Sequence, residues 1–378
     1  MAKTTAVADS SFTYQHLENL LQKSLKTSGT FAKFTSQRIG DGAGQTSRVV
    51  LLEVEWDVDD TNLPRSFVLK IPVVQGIIHI EMLKMLHNCE CAVYRLAAEH
   101  TEELMLPKCY HIEEIQPGVS DGLLIIEDLR SKGKTMRMGP TNLETMKEIA
   151  EYVATLQSIA MKHREWQQET KIGSCLPRLL ATEEGCLGFV KNGLQILKRD
   201  WPDVMGSLAD KLLDICPTLE SYRVMLLEEY KSLGIQPVFV HGDFYLGNLL
   251  MVPEGDKHKV TAVIDWQMSH FGNPAEDLGR ALCCLTTDDR RRHTIDVLEH
   301  YYSCLQGKLH PQSVPFTLGQ LKEACKSAFG FSAIMLTACM PPVIQHDSWS
   351  PEAKREMVER LRGYVEDLIA VGEGGKTQ

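Results

Sequence analysis

The hydrophobic and polar positions in the amino-terminal part of the chain alternate in a way that predicts strands and amphipathic helices. Tyr14–Leu25 carries leucines at helical spacing, whereas Val49–Trp56 and Ser66–Lys70 are short runs rich in β-branched and apolar residues. Helical spacing returns over Glu81–Glu99, and Gly122–Leu129 is predicted as a further buried strand. This part of the chain therefore predicts a small lobe built around a sheet.

After residue 129 the pattern changes to longer segments with helical spacing. A capping box, Thr141-x-x-Glu144, is expected to begin a long helix. A strand-turn-strand over Pro237–Trp266 interrupts the helices, and Phe331–Ile344 is expected to be a buried helix that ends at its two adjacent prolines. The fold class predicted is α+β and bilobal, with a small β-rich lobe at residues 1–129 and a larger, mainly α-helical lobe at residues 130–378.

Length and composition agree with two lobes of a globular protein. The chain has 378 residues, and domains typically have ~100–200. Hydrophobic residues make up 43 % and charged residues 24 %, values that exclude disordered and fibrous classes. The net charge of -10 argues against non-specific nucleic-acid binding, because neutralising phosphates needs a basic surface.

The location expected from the sequence is the cytoplasm. Met1–Ser11 has no apolar segment of the kind that a secretory signal needs, and no uninterrupted apolar run is long enough to span a membrane. The 11 cysteines show no paired CxxC and no zinc-like spacing, so they are expected to be reduced thiols.

The most informative segment for chemistry follows the predicted strand at Val238–Val240. It contains His241-Gly-Asp243 and, after four further residues, Asn248. Phosphoryl transfer needs a carboxylate beside the attacking hydroxyl and oxygen ligands for magnesium close to it. A loop of the form H-x-D-x-x-x-x-N supplies both from one turn.

A second carboxylate stands at the end of a predicted β-hairpin. The hairpin begins directly after Asn248 and ends at Asp265, in Val263-Ile-Asp-Trp-Gln267. An unpaired carboxylate is costly to bury at the end of an apolar strand, and a magnesium ion on nucleotide phosphates would compensate its charge. We therefore expect Asp265 to lie near Asn248 and to bind metal.

Upstream, two weaker signals suit a nucleotide. Gly40, Gly42 and Gly44 lie at a predicted strand turn, where glycines let the backbone approach phosphates, although an ordinary hairpin turn explains this motif better when it is taken alone. Lys70 ends an apolar strand, a position suited to a lysine that contacts the α- and β-phosphates or to an edge lysine with its amine in water.

The partners of this lysine and of an adenine base are predicted in the same region. Glu90 lies on the next helix and could hold Lys70, with Glu81 as a less favoured rival because it sits nearer the helix start. Glu127 and Leu129, which precede the polar connector, are expected to be where a hinge offers backbone groups to adenine.

Taken in this order, these segments resemble the aminoglycoside-phosphotransferase/choline-kinase superfamily. Two stretches are most similar to its CHK-kinase-like, or ecdysteroid-kinase-like, branch: Asn88–Tyr94 and Ile264–Leu278. The resemblance extends from about Ile39 to Tyr302.

The resemblance implies a protein-kinase-like fold and transfer of the ATP γ-phosphoryl group to a hydroxyl of a small molecule. It implies that Asp243 is the base, that Asn248 and Asp265 hold Mg²⁺, and that Lys70, paired with Glu90, contacts phosphate. The acceptor it suggests is a sterol-like alcohol or a xenobiotic, with choline-like and aminoglycoside substrates as alternatives.

Two departures from the protein-kinase pattern argue against a peptide as the acceptor. Gly242 replaces the arginine of the protein-kinase loop, and few residues separate Asp265 from a helix predicted to start after Pro274, so a peptide platform is missing. Asp277 is expected to order the turn after Asn273. A nucleotide-binding pseudokinase with a regulatory role is the alternative, although the polar residues that the reaction requires are present.

Overall fold

The structure, a computed structural model, describes residues 2–39, 46–74, 79–136, 140–176, 188–215, 224–345 and 349–374. The chain forms two compact units, one of residues 1–133 with 262–268 and one of residues 134–261 with 269–378. These units are defined by contacts within the chain, and a unit of this kind is not by itself an independently folding domain. The domain boundary that the sequence predicts between residues 129 and 130 therefore stays a prediction.

The first unit is built on a five-stranded sheet with the order β1-β2-β3-β5-β4, in which all neighbours are antiparallel. Helices α1 and α2 belong to the same unit. The element bounds are β1 Phe31–Arg38, β2 Ser47–Trp56, β3 Ser66–Pro72, β4 Cys109–Glu113, β5 Leu123–Glu127, α1 Tyr14–Leu25 and α2 Ile80–Leu96.

In strand β3 the apolar core residues and Lys70 lie on opposite faces of the sheet. Phe67, Leu69 and Ile71 are buried in a core that also contains Leu17 and Leu21 of α1. Because successive residues of a strand point to opposite faces, Lys70 points to the face away from this core. The period of two therefore places a single lysine on the opposite side of the sheet.

The second unit is mainly helical, with short strands between the helices. Strands β6 and β8 pair antiparallel, β8 and β9 form the predicted hairpin region, and β7 pairs antiparallel with β10. The strands are β6 Lys134–Thr135, β7 Val238–Val240, β8 Leu249–Glu254, β9 Lys257–Val263 and β10 His270–Gly272. The helices are α3 Leu143–Lys162, α4 Gly188–Asp200, α5 Pro202–Ile215, α6 Glu229–Ser232, α7 Glu276–Ala281, α8 Thr287–Leu309, α9 Leu318–Gln345 and α10 Pro351–Gly374.

These elements confirm the predicted fold class, with a β-sheet in the amino-terminal part and helices in the carboxyl-terminal part. The end of one helix and the start of another differ from the prediction. Helix α9 continues past Pro341 and Pro342 to Gln345, so the two prolines do not end it; each removes the hydrogen bond from its own N–H to the carbonyl four residues earlier. Helix α3 is capped by Asn142 instead of Thr141.

Within the described residues, one helix is long and apolar enough to cross a membrane by length and composition alone. It comprises Leu318–Pro341 of α9, and 83 % of its most apolar window is buried inside the protein. That degree of burial is typical of a helix in a protein core.

The cap of α3 gives a stability prediction. The Asn142 side chain accepts a hydrogen bond from the Thr145 N–H at 2.9 Å, so Asn142→Ala should lower the free energy of unfolding by about 1 kcal/mol. The urea midpoint, followed by circular dichroism, measures the change.

Thr141→Val is the matched control. The Thr141 hydroxyl is buried and has no hydrogen-bond partner among the described residues, so replacing it with a methyl group should leave stability unchanged or raise it. A larger loss from Thr141→Val than from Asn142→Ala would show that the helix is capped one residue earlier.

Candidate active site

In the first unit, Lys70 lies between two carboxylates. Its Nζ donates a hydrogen bond to Glu90 Oε2 at 2.6 Å and another to Asp265 Oδ1 at 2.6 Å. The Lys70 side chain is 12 % exposed and that of Glu90 is 2 % exposed. The structure therefore pairs Lys70 with Glu90, and the rival Glu81 is exposed at the start of α2.

Burial and the neighbouring charges shift the pKa values of Lys70 and Glu90 in opposite directions. Burial acts to lower the pKa of Lys70, but attraction to Asp265 and Glu90 outweighs it, and the pKa is raised above its usual value. Burial raises the pKa of Glu90, against the opposing effect of Lys70. Removing either partner of such a buried pair would leave an uncompensated charge.

Asp265 reaches Lys70 from an unusual backbone conformation. It follows β9 and has φ +67°, in the left-handed region that non-glycine residues rarely adopt. The next residue, Trp266, is buried, and its backbone hydrogen-bonds to Glu90. Gln267 Nε2 lies 3.4 Å from Asp265 Oδ2, and its own side-chain oxygen accepts a hydrogen bond from Thr46 at 2.9 Å. A turn anchored on α2 therefore positions the carboxylate.

The predicted adenine hinge follows β5, also in the first unit. The Glu127 carboxylate accepts a hydrogen bond from the Lys108 N–H at 3.2 Å and pairs with Lys132 at 2.8 Å, so its side chain is committed to neighbouring residues. The Leu129 carbonyl accepts from the Lys132 N–H at 2.8 Å within a turn. The hinge role of Glu127 and Leu129 stays a prediction, and the glycines Gly40, Gly42 and Gly44 lie outside the described residues.

In the second unit, the loop after β7 brings Asp243 and Asn248 together. Asn248 Nδ2 donates to the backbone carbonyl of Asp243 at 2.8 Å and to its Oδ2 at 3.2 Å. The Asp243 N–H donates to His241 Nδ1 at 3.2 Å. The H-x-D-x-x-x-x-N motif is therefore a turn whose polar side chains hold one another.

The hydrogen-bond partners of Asp277 differ from those that the sequence predicted. Its carboxylate does not order the turn after Asn273; Oδ2 accepts from the His241 N–H at 2.8 Å and Oδ1 from the Gly242 N–H at 3.0 Å. Asn273 orders that turn itself, by accepting from the Ala275 N–H at 2.9 Å. Asp277 therefore fixes the backbone of the loop that carries Asp243.

Two contacts of the site were not predicted. Arg280, on α7, donates to Asp243 Oδ1 at 2.9 Å, and Gln267 supports Asp265 as described above. A signal for Arg280 exists in the sequence, since it is the single charge within the apolar run Leu278–Leu285. A charge in such a run is expected to be buried and paired.

Several known proteins are similar in sequence to this chain. The profile of the DUF1679 family, described as "Uncharacterized oxidoreductase dhs-27", matches residues 5–81 and 77–373. The Caenorhabditis elegans protein of that name is 26 % identical over 364 residues, which are 94 % of this chain and 43 % of that protein. Another C. elegans relative, an uncharacterized kinase-like protein, is 34 % identical over 102 residues, which are 27 % of this chain and 26 % of that protein. This chain thus spans less than half the length of these curated relatives.

The fold also matches solved structures. Choline kinase from Cryptosporidium parvum Iowa II aligns with a TM-score of 0.55 and 13 % identity, covering 91 % of each chain. At this identity the likeness shows the shared fold. Together with the kinase-like relative and the family match, it confirms the resemblance to the aminoglycoside-phosphotransferase/choline-kinase superfamily.

The environment of Asp277 gives a pH prediction. Burial, with repulsion from Glu276, raises its pKa to about 7, although the two backbone N–H groups oppose the shift. An unfolded aspartate titrates near a pKa of about 4, so between about pH 4 and pH 7 the folded chain binds more protons than the unfolded chain. This group therefore makes the free energy of unfolding fall as the pH rises through that window.

Asp277→Asn should make the loss of stability between pH 5 and pH 8 smaller than in the wild type. Urea midpoints at the two pH values measure it. Asp210→Asn, which removes a carboxylate from an exposed pair with Lys198, is the control. An unchanged pH dependence in Asp277→Asn would contradict the assignment.

Proposed function

The chain belongs to the DUF1679 family, and we propose that it is a kinase that transfers the γ-phosphoryl group of ATP to a hydroxyl group of a small molecule, with Mg²⁺ as cofactor. The observation that carries the proposal is the ammonium group of Lys70, held at 2.6 Å from both Glu90 and Asp265. A lysine on a strand, paired with a glutamate on the following helix and placed beside a metal-binding aspartate, is the arrangement that kinases use to hold phosphates.

Asp243 is the proposed base. Its carboxylate accepts the proton of the acceptor hydroxyl while the hydroxyl oxygen forms a bond to the γ-phosphorus. The bond from that phosphorus to the β,γ-bridging oxygen breaks at the same time, and ADP leaves with the electron pair. Asn248 supports this role by holding the Asp243 carboxylate and backbone.

The donor set suits magnesium. Asn248 uses its amide nitrogen toward Asp243, which leaves its amide oxygen as the group it can offer a cation, and Asp265 offers carboxylate oxygens. Mg²⁺ prefers such oxygen ligands. We propose Asn248 and Asp265 as the ligands, and the bound ion would neutralise charge on the phosphates.

The remaining nucleotide contacts are proposals from the sequence. Lys70 would contact the α- and β-phosphates, Glu127 and Leu129 would flank the adenine, and the loop with Gly40, Gly42 and Gly44 would cover the phosphates. Of these, Lys70 has the strongest support, because its ion pairs hold it on the sheet face away from the hydrophobic core.

A small molecule is the proposed acceptor. Residues 266–275, all described, contain a short turn and β10, and α7 begins at Glu276. That segment has no room for the long activation segment with which protein kinases bind peptides. A sterol-like or xenobiotic alcohol is the proposed class, with a choline-like alcohol as the alternative, and no nucleic acid or membrane span is part of the proposal.

An oxidoreductase activity is not proposed, although the relative's name contains that word. This chain covers 43 % of that relative, so the name describes a longer protein. The strand pairs described above are antiparallel, whereas the common dinucleotide-binding fold of such enzymes has parallel strands joined by helices. A cytoplasmic location is also proposed; the cysteines that the structure describes are free thiols, which suits a reducing compartment.

Asp243→Asn tests the reaction. It removes the proton acceptor and keeps the size and one of the two accepting oxygens that Arg280 and Asn248 contact, so phosphoryl transfer should fall at least about 100-fold while ATP affinity stays within about twofold. Purified protein, Mg²⁺ and ATP are incubated with a metabolite extract, and mass spectrometry detects any compound that gains one phosphate. Titration calorimetry measures ATP binding.

Full turnover by Asp243→Asn would overturn the role of Asp243. Wild-type protein that binds ATP and phosphorylates nothing would identify a pseudokinase, which is the alternative.

Lys70→Met tests the phosphate contact. It should weaken ATP binding at least tenfold and also lower the free energy of unfolding by about 3–5 kcal/mol, because Glu90 is left buried without its partner. In the double variant Lys70→Met, Glu90→Met, stability should recover, since no lone charge remains on α2, but ATP affinity should not. Recovery of ATP affinity in the double variant would show that Lys70 has only a structural role.

A further inference from the structure

Arg280 is a buried cation directly beside the proposed base. Its side chain is 9 % exposed, and its Nη1 donates to Asp243 Oδ1 at 2.9 Å. Lysine and arginine side chains are rarely buried to this extent unless they are paired, and Arg280 is paired with Asp243. The question is what this pair does for the proposed base. The proposed reaction needs a base but does not by itself need this arginine.

The surroundings keep Arg280 charged and in one orientation. Burial acts to lower its pKa, but attraction to Asp243 and Glu276 outweighs that effect, and the pKa is raised. The guanidinium lies over the ring of Phe331, with 5.9 Å from Cζ to the ring centroid. Its Nε is buried without a hydrogen-bond partner among the described residues. The guanidinium is thus held by its ion pair with Asp243 and by its contact with the Phe331 ring.

Arg280 and Asn248 hold different oxygens of the same carboxylate. Arg280 binds Oδ1 at 2.9 Å, and Asn248 binds Oδ2 at 3.2 Å. Two contacts on opposite oxygens fix the rotation of a carboxylate group, whereas one contact leaves it free to turn. Each carboxylate oxygen has a second lone pair, so the group can still accept a hydrogen bond from an acceptor hydroxyl.

Helix α7 thereby holds the catalytic loop at two points. Asp277, in its first turn, binds the backbone N–H groups of His241 and Gly242, and Arg280, three residues later on the same face, binds the side chain of Asp243. The turn before α7 is itself anchored to α9, since Asn273 Nδ2 donates to the Ala324 carbonyl at 2.8 Å.

We propose that Arg280 is a positioning residue for the base: it holds the Asp243 carboxylate in the rotation from which it accepts the proton of the acceptor hydroxyl. This inference rests on the proposed function and adds a residue to its site. A displacement of about 1 Å in a catalytic group is enough to cost about 100-fold in rate, so loss of Arg280 should lower turnover with little change in ATP binding.

Three variants test it: Arg280→Met, Arg280→Lys and Arg290→Met. The assay is ADP release from ATP and Mg²⁺ with water as the acceptor, together with ATP affinity by calorimetry. Arg280→Met should lower kcat by about 100-fold with the ATP dissociation constant within about twofold of the wild type. Arg280→Lys keeps the charge without the planar fork and should recover part of the rate.

Arg290→Met is the matched control for losing a buried arginine in the same unit. Arg290 is 4 % exposed, pairs with Asp367 at 2.6 Å and lies over the ring of Tyr364, and neither of these partners is a residue that holds Asp243. Its substitution should lower the urea midpoint without lowering kcat per folded molecule. Urea midpoints of all variants separate lost positioning from lost folding.

Arg280→Met with kcat within about threefold of the wild type overturns the inference and leaves the proposed function intact. Equal losses of kcat per folded molecule in Arg280→Met and Arg290→Met also overturn it, because they show a general effect of removing a buried cation. Wild-type protein that releases no ADP with water and also phosphorylates no compound in the metabolite extract overturns the proposed function, and the inference with it.

Discussion

The interaction on which the first unit depends is the contact of one ammonium group with two carboxylates. Lys70 and Glu90 are nearly removed from water, and charges in such a position are stable only when they are paired and hydrogen-bonded. Each of the three residues comes from a different part of the chain: a strand, a helix and the turn after a hairpin. Their convergence therefore specifies the register of β3, the rotation of α2 and the path of the chain at Asp265 at the same time.

The second unit uses the same principle with a different set of groups. Asp243, Asp277 and Arg280 place two carboxylates and one guanidinium around a single loop. The backbone N–H groups of His241 and Gly242, which directly follow strand β7, donate to the Asp277 carboxylate, which satisfies them. The carboxylate that fixes the loop and the cation that fixes the base come from one short helix, which makes α7 a structural part of the site.

Local patterns in the sequence predicted much of this architecture. Strands β2 and β3 are short runs rich in β-branched and apolar residues, helix α2 has helical spacing, and the β8–β9 hairpin is two apolar runs around a polar turn. The sequence also predicted the pairing of Lys70 with Glu90. Strand β4 has no alternation, because each of its residues is partly buried, and it was missed. The cap of α3 was misplaced by one residue, since Thr141 and Asn142 are both good capping residues by type. The partners of Asp277 and Arg280 were also missed, because those contacts join residues far apart in sequence, and composition around them does not specify which loop they reach.

One consequence concerns the order in which the protein is made. The first unit includes residues 262–268, which are synthesised long after residue 133. While the nascent chain is still on the ribosome and ends before Asp265, the sheet and α2 can already exist, but Lys70 has received only one of its two carboxylates. The unit nearest the amino terminus is thus completed late in translation, because residues 134–261 of the helical unit are made before the second carboxylate reaches Lys70.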